Sequence, residues 1–146
     1  HFARLFRMSV TVTVTDDLAQ ALAIRRVVFI EGQNVPEDRE VDGCDSDALH
    51  LLLQKDGVAI GTARLMLDGK TGKIGRVAVL VAYRGRGFGT TLINKSCEVL
   101  RSHGMTRAKL GAQTHAIGFY EALGFTVEGP EYMDAGIPHR DMVRPL

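Results

Sequence analysis

One stretch, residues 77–90, constrains the fold of this chain more than any other. An apolar segment runs directly into a glycine-rich basic turn, and a helix pattern follows the turn. Alternating β-branched residues favour an extended strand, and glycines at every second position remove side chains from the turn. The residues are Val77, Val79 and Val81 in the strand, then Arg84, Gly85, Arg86, Gly87 and Gly89 in the turn. The pattern predicts a buried strand that ends at a tight turn into a helix.

This turn is also a candidate anion site. A helix that begins there directs its unpaired amides and the positive end of its dipole toward the turn, and two arginines add full charges. An anion is therefore the predicted occupant, and a pyrophosphate fits best. The spacing matches neither the dinucleotide-binding nor the P-loop fingerprint. A purely structural turn with solvated arginines is the alternative. The candidate ligand-binding residues are Arg84, Gly85, Arg86, Gly87, Phe88, Gly89 and Thr90.

Length and charge indicate an ordinary single domain. The chain has 146 residues, enough for one core and too few for two. A formal net charge of +1 argues against a nucleic-acid partner bound through bulk charge. We expect residues 1–7 to be a leader or residues added by an expression vector, and residues 8–146 to form the domain.

Cysteine usage and hydropathy bear on the compartment. Cys44 and Cys97 have neither metal-ligand spacing nor a disulfide-rich context, so no metal is predicted and a reducing cytoplasm is expected. No apolar run approaches the roughly 20 residues that span a bilayer, so no membrane partner is predicted. A homodimer is left open.

Periodicity predicts a mixed α/β fold. The predicted order is strand, helix, long loop, three strands, helix, strand, helix and two strands. The strands are expected near 9–15, 49–54, 58–67, 73–81, 107–112, 125–131 and 138–143. The fourth and fifth strands are joined by a helix and should therefore be parallel, whereas hairpins make the rest mostly antiparallel.

Charge is unevenly distributed along the chain. Residues 31–47 hold seven acids and one base, Arg39, whereas residues 64–109 hold ten bases and two acids. Such a split suggests two different ligands, with a cationic one at the acidic loop. A solvated loop is the alternative interpretation.

Two motifs resemble the GNAT superfamily of N-acyltransferases. Arg84-x-x-Gly87-x-Gly89 resembles its pyrophosphate-binding signature, and residues 113–125 resemble its second signature, with Gln113 where many members carry Asn. The resemblance covers essentially everything from Met8 onward. Further segments look like the ElaA-like subgroup: 25–33, Val35-Pro36, Asp42 with Asp45, His50, 112–115 and 136–139.

The resemblance implies acyl transfer, most often of acetyl, from acyl-coenzyme A to a primary amine. It implies a fourth and fifth strand that splay apart to admit the cofactor. Val77, Ala78 and Val79 would lie along pantetheine, Gln113 would contact the cofactor, and the turn would hold the pyrophosphate. The Val79 amide is then the candidate oxyanion donor, and Tyr120 is the candidate acid for the departing thiolate and a further cofactor contact.

The acceptor side is less defined by the resemblance. The acidic loop and its surroundings supply the acceptor-binding candidates Glu31, Glu40, Asp42 and His50. The general base is left open among these four residues and His139, and water alone can carry the proton away from the amine. Two alternatives remain: an acyl-coenzyme A sensor of the same fold without turnover, and an unrelated binding module.

Overall fold

The computed structural model describes residues 9–146, so the predicted leader at residues 1–7 lies outside the described residues. Seven strands and four helices are found in this range. The strands are β1 (Val10–Thr15), β2 (Leu49–Lys55), β3 (Val58–Asp68), β4 (Thr71–Val79), β5 (Arg107–Gln113), β6 (Thr126–Asp134) and β7 (Ile137–Pro145). The helices are α1 (Leu18–Arg25), continued by a π-helical segment (Arg26–Glu31), α2 (Glu37–Glu40), α3 (Phe88–Ser102) and α4 (Ile117–Ala122). None of these helices is both long and apolar enough to cross a membrane.

The strands form one sheet with the order β1-β2-β3-β4-β5-β7-β6. Every neighbouring pair is antiparallel except β4 and β5, which run parallel because α3 connects them. The predicted mixed, mostly antiparallel fold with one parallel pair is confirmed. Hairpin turns at Asp56-Gly57 and Ala135-Gly136 have positive φ at both residues, as the two-residue turns between antiparallel strands require.

The parallel pair separates partway along its length. β4 and β5 are paired only from Thr71 with Arg107 to Ile74 with Leu110. Immediately beyond, β4 carries a bulge, because Arg64 pairs with Gly75 whereas Thr62 pairs with Ala78. Arg76 lies in this bulge with a φ of 50°. Since a bulge bends its strand, β4 diverges from β5 and leaves a fork, which confirms the expected splay.

The core lies on both faces of the sheet. On one face, α3 packs its buried residues against the central strands. These are Phe88, Leu92, Ile93, Ser96, Cys97, Val99 and Leu100. On the other face, Ile24 and Val28 from the α1 region pack against Leu52 and Ala78. The fork in β4 and β5 therefore opens between two helical layers.

Close packing between β4 and α3 makes a first prediction. A Cβ added at Gly72 would overlap the buried side chain of Leu100, whereas a Cβ at Gly75 would meet no atom within 4 Å. Gly72→Ala is expected to lower the free energy of unfolding by about 1–3 kcal/mol through overpacking. Gly75→Ala on the same strand is the matched control. Equal denaturation midpoints for the two variants would contradict the packing argument.

Candidate functional site

A cleft of about 460 Å³ occupies the fork between β4 and β5. Its walls come from the end of the α1 region, the diverging part of β4, the end of β5, α4 and the hairpin of β6 and β7. Side chains from both faces of the sheet line it, so the cleft joins one face to the other. The lining includes Phe29, Gln33, Arg39, Glu40, Arg76, Val77, Ala78, Val79, Arg84, Gln113, His115, Tyr120, Tyr132, Asp134 and His139.

Free backbone amides gather where the glycine turn meets α3. Among the described residues, none accepts a hydrogen bond from the amides of residues 85–90. Gly87 precedes the helix with a φ of 83°, a conformation that suits glycine. Phe88 contributes only its amide here, because its side chain is buried in the core. Together with the helix dipole, these amides can hold an anion.

The two arginines of the turn have different surroundings. Arg84 lines the cleft, and its Nε donates a 2.9 Å hydrogen bond to the carbonyl oxygen of Val79. Arg86 lies outside the cleft lining, and its guanidinium carbon lies 5.6 Å from the centre of the Tyr83 ring. Both side chains are exposed at the turn. The geometry therefore connects Arg84 to the cleft and places Arg86 beside the free amides.

The end of β4 presents backbone groups to the fork. The amide of Leu80 donates to the Ile60 carbonyl of β3, at 2.9 Å. Successive residues of a strand direct their backbone groups to opposite edges, so the Val79 amide points away from β3 and into the fork. Val77, Ala78 and Val79 all line the cleft. The Val79 amide is thus available to an oxygen atom of a bound molecule.

Tyr120 reaches the same cleft from α4. Its ring packs edge-to-face against Phe119 and Phe125, with centroid distances of 5.0 and 5.9 Å. Burial raises the pKa of its phenol to about 12, because the charged phenolate would lose water. The hydroxyl therefore keeps its proton at any ordinary pH. Tyr120 is suited to donating a proton.

Gln113 ends β5 and takes part in a short chain of side-chain hydrogen bonds. Its Nε2 donates to Oε1 of Gln33 at 3.1 Å, and its Oε1 accepts from Nε2 of His115 at 2.8 Å. The amide at this position therefore links the end of the α1 region to the loop before α4. This arrangement fixes one wall of the cleft.

The acidic loop is not the free negative surface that its sequence suggests. Glu40, which is 2% exposed, accepts from Nη2 of Arg25 at 2.8 Å and from Nε of Arg76 at 2.8 Å. Asp45 is paired with Arg25 and Arg64, at 2.7 and 3.2 Å. Glu40 and Asp45 are therefore neither free to attract a cationic ligand nor solvated, which the sequence analysis gave as the two possibilities. Counting charges within the loop missed three arginines from other elements.

Carboxylate pKa values reflect this pairing. A hydrogen bond from Arg64, at 2.8 Å, holds the pKa of Asp42 well below its usual range. Burial raises the pKa of Asp45, but contacts with Arg25 and Arg64 outweigh it and lower the pKa overall. Both carboxylates are charged at neutral pH, and their charge is neutralised within the protein.

The four acceptor candidates are not brought together. Glu40 lines the cleft, whereas Glu31, Asp42 and His50 do not. Glu31 is exposed on the π-helical segment. His50 is buried, and its Nε2 donates a 2.8 Å hydrogen bond to the Asp45 carbonyl, which makes it a support of the loop.

The wall facing away from α3 contains residues that the sequence interpretation missed or left open. Arg39 and Asp134 form an exposed ion pair of 3.3 Å between α2 and the end of β6. His139 stacks on Tyr132, with centroids 5.8 Å apart and planes 21° apart. The directly opposed positions of Tyr132 and His139 on a hairpin could have been read from the turn at residues 134–136, since register follows from the turn.

Several known proteins resemble this chain in sequence and in fold. The chain is 38% identical to the uncharacterised protein YyaT of Bacillus subtilis over 138 residues, which cover 92% of this chain and 93% of YyaT. It is 35% identical to the ElaA protein of Escherichia coli over 128 residues, 84% of each chain. The crystal structure of ElaA covers 94% of this chain and 99% of its own length, with a TM-score of 0.82 and 30% identity.

A solved structure with lower sequence identity contains a bound ligand. The PaiA N-acetyltransferase from Thermoplasma acidophilum, solved in complex with coenzyme A, covers 94% of this chain and 99% of its own. Its TM-score is 0.72 at 16% identity, which shows the shared fold. The family model of the GNAT acetyltransferases matches residues 18–125. With this match and the similarity to ElaA, the chain belongs to the GNAT acetyltransferase family.

Proposed function

We propose that this protein transfers an acyl group, most often acetyl, from acyl-coenzyme A to a primary amine. The supporting observation is the arrangement of one continuous cleft. Arg84, Val79 and Tyr120 all line this cleft, and the free amides of residues 85–90, which can hold a pyrophosphate, follow Arg84 directly in the chain. A thiol ester that extends from the turn into the fork meets both the Val79 amide and the Tyr120 hydroxyl.

The donor is held by three kinds of contact in this proposal. The amides of residues 85–90 and the arginines of the turn bind the pyrophosphate. The unpaired edge of β4 at Val77–Val79 hydrogen-bonds the pantetheine arm, and Gln113 contacts it from β5. The fork thus supplies the edge of a strand to an extended ligand.

The chemical step requires an oxyanion donor and an acid. Attack by the amine makes the thioester oxygen negative, and the Val79 amide stabilises this charge. Tyr120 donates its proton to the sulfur as the bond between carbon and sulfur breaks. The phenol is already protonated at neutral pH, because burial raises its pKa to about 12.

Binding of the donor is tested by thermal denaturation. A ligand at 100 times its Kd that binds only the folded state adds about 2.7 kcal/mol of stability, so acetyl-coenzyme A should raise the Tm. ATP lacks the pantetheine arm and should raise it much less. Absence of a shift with every coenzyme A ester tried would exclude the proposed donor.

Arg84 provides a second prediction about the donor. Arg84→Ala removes a charge-assisted contact with the phosphates, so KM for acetyl-coenzyme A should rise about tenfold, equivalent to about 1.4 kcal/mol. Its effect on kcat should be small, since the phosphates lie far from the thioester. Lys95→Ala on the exposed face of α3 is the control. A fall in kcat at unchanged KM would show that Arg84 acts on the reacting end.

Turnover distinguishes an enzyme from a sensor. A panel of primary amines is incubated with the protein and acetyl-coenzyme A, and release of the free thiol is followed. Amine-dependent release supports transfer. A clear Tm shift without release above the uncatalysed rate for any amine would favour the alternative of an acyl-coenzyme A sensor.

A further inference from the structure

We propose that His139 is the general base that accepts a proton from the acceptor ammonium group. This assignment rests on the proposed transfer to an amine and deepens it. It names a residue of β7 for the step that the sequence left open among several acids and histidines.

The hydrogen bonding of His139 determines its tautomer. Its Nδ1 lies 2.7 Å from the carbonyl oxygen of Ile137, and a carbonyl oxygen can only accept. Nδ1 therefore carries the hydrogen, which leaves a lone pair on Nε2 of the neutral ring. A histidine fixed by a backbone carbonyl in this way presents a defined basic nitrogen.

Neighbouring strands hold the imidazole at the end of the fork. His139 is opposite Gln113 on β5 and opposite Tyr132 on β6. The Tyr132 ring stacks on it, and the Tyr132 hydroxyl donates a 2.7 Å hydrogen bond to Asp141. The ring of His139 is thus supported on one side and lines the cleft.

The face of the sheet also suits the role. Gly111 and Gln113 alternate with Leu110 and Ala112, and the latter pair is buried in the core beneath α3. Since side chains alternate across a sheet, the Gln113 side of β5 faces away from α3. His139, its cross-strand partner, lies on that same side. A base there and Tyr120 on the α3 side would flank a thioester that lies in the fork.

Other titratable groups of the cleft are less available as bases. Glu40 is paired with Arg25 and Arg76, and Asp134 is paired with Arg39. Tyr120 and Tyr132 both have raised pKa values, the former from burial and the latter from burial and the bonded Asp141. His115, which is exposed and donates to Gln113, is the remaining candidate and enters the test.

The proposed step balances as follows. Nε2 of His139 takes one proton from the ammonium group, and the freed nitrogen lone pair forms a bond to the thioester carbon. The bond between carbon and sulfur then breaks, and the thiolate takes the Tyr120 proton. The new amide nitrogen releases its second proton, which restores the phenol, while His139 returns its proton to water.

His139→Asn is the main test, because the Asn amide can still donate to the Ile137 carbonyl but offers no basic nitrogen. With an amine whose pKa is near 10, kcat/KM of the wild type should level off above neutral pH. In the variant only amine that is already neutral reacts, so kcat/KM should rise about tenfold per pH unit up to the amine pKa. The defect should be about 10³-fold at pH 7, where only about one amine in 10³ is neutral, and should disappear toward pH 10.

Imidazole rescue provides a second readout that a structural role would not give. Added imidazole should restore part of the activity of His139→Ala at pH 7 and leave the wild type unchanged. His103→Asn is the matched control, because His103 also bonds a backbone carbonyl, Val99 at 2.9 Å, at the far end of α3. Its pH profile should equal that of the wild type.

Failure of this inference is distinct from failure of the proposed function. An active wild type whose pH profile is unchanged in His139→Asn would overturn the base assignment alone. The same is true if His115→Asn, and not His139→Asn, gives the altered profile. A wild type without amine-dependent thiol release would instead overturn the proposed function and, with it, this assignment.

Discussion

Tyr120→Phe is expected to lower kcat about 10²-fold, the contribution that a general acid commonly makes. Binding of acetyl-coenzyme A should stay at the wild-type level. The substitution keeps the ring that packs against Phe119 and Phe125 and removes only the hydroxyl. The stability of the protein should therefore change little, and the loss should appear in the chemical step.

Transfer of a proton from Tyr120 to the departing thiolate is unfavourable by itself, because a thiol typically has a pKa near 8.5. The transfer is driven by the new amide nitrogen, which is positively charged and returns a proton to the phenolate. The pKa of about 12 for Tyr120 makes the transfer less favourable but keeps the phenol protonated before the reaction. Because the acid form is lost only when the pH approaches 12, no tyrosine limb should be seen in kcat up to about pH 10.

Packing alone is the competing explanation for Tyr120. Aromatic residues at helical spacing are usually part of a core, and this ring lies among core residues. Single-turnover kinetics with a good amine separate the two explanations, because product release no longer limits the rate. A wild-type rate in Tyr120→Phe under those conditions would make Tyr120 a packing residue.

Local signals predicted most of the fold. Asp56-Gly57 marked the hairpin of β2 and β3, and the glycine turn correctly marked the boundary between β4 and α3. The connection through α3 predicted the parallel pair. The hairpin and the boundary of α3 depend on residues within a few positions of one another, where the chemistry of a turn decides the geometry.

Helix ends and faces were predicted less well. Leu18, Leu22, Arg25 or Arg26, and Phe29 repeat at helical spacing in the sequence, but the buried residues of this region are Ala21, Ile24, Arg25 and Val28. Spacing alone did not distinguish Arg25, which is buried in ion pairs, from Arg26, which is exposed. Thr114 after β5 is of a residue type that caps helices, yet a 3-10 turn (Thr114–Ala116) intervenes and α4 begins at Ile117 without a side-chain cap.

The two sides of the candidate site also differ in how well the sequence predicted them. The donor side could be predicted because the residues of the glycine turn are contiguous in sequence. On the other side, Arg25 and Arg76 reach Glu40 across 15 and 36 positions, and Arg39 reaches Asp134 across 95. No periodicity predicts which charge meets which over such separations. The sequence therefore identified the acids of the loop but not the arginines that neutralise them.

Glu40→Gln is expected to lower the free energy of unfolding by about 3–5 kcal/mol, the range for breaking a buried ion pair on one side. Arg25 is 1% exposed and donates to both carboxylate oxygens of Glu40, through Nε at 3.0 and 3.1 Å and Nη2 at 2.8 Å. The amide of Gln would direct hydrogens toward this guanidinium and leave its charge partly uncompensated. Denaturant unfolding with a shared m value measures the change.

Two further variants separate the buried charge from the contacts of the loop. Glu37→Gln breaks the exposed pair with Arg26, so it should cost no more than about 1 kcal/mol. Arg25→Met combined with Glu40→Leu removes both buried charges. Arg76 then loses Glu40 and keeps Asp42, and Asp45 loses Arg25 and keeps Arg64. This double variant should be more stable than Glu40→Gln, because the large cost comes from the uncompensated charge and not from the absence of the pair. If Glu40→Gln costs no more than Glu37→Gln, the network does not stabilise the fold, and the bulge at Arg76 must be held by backbone contacts alone.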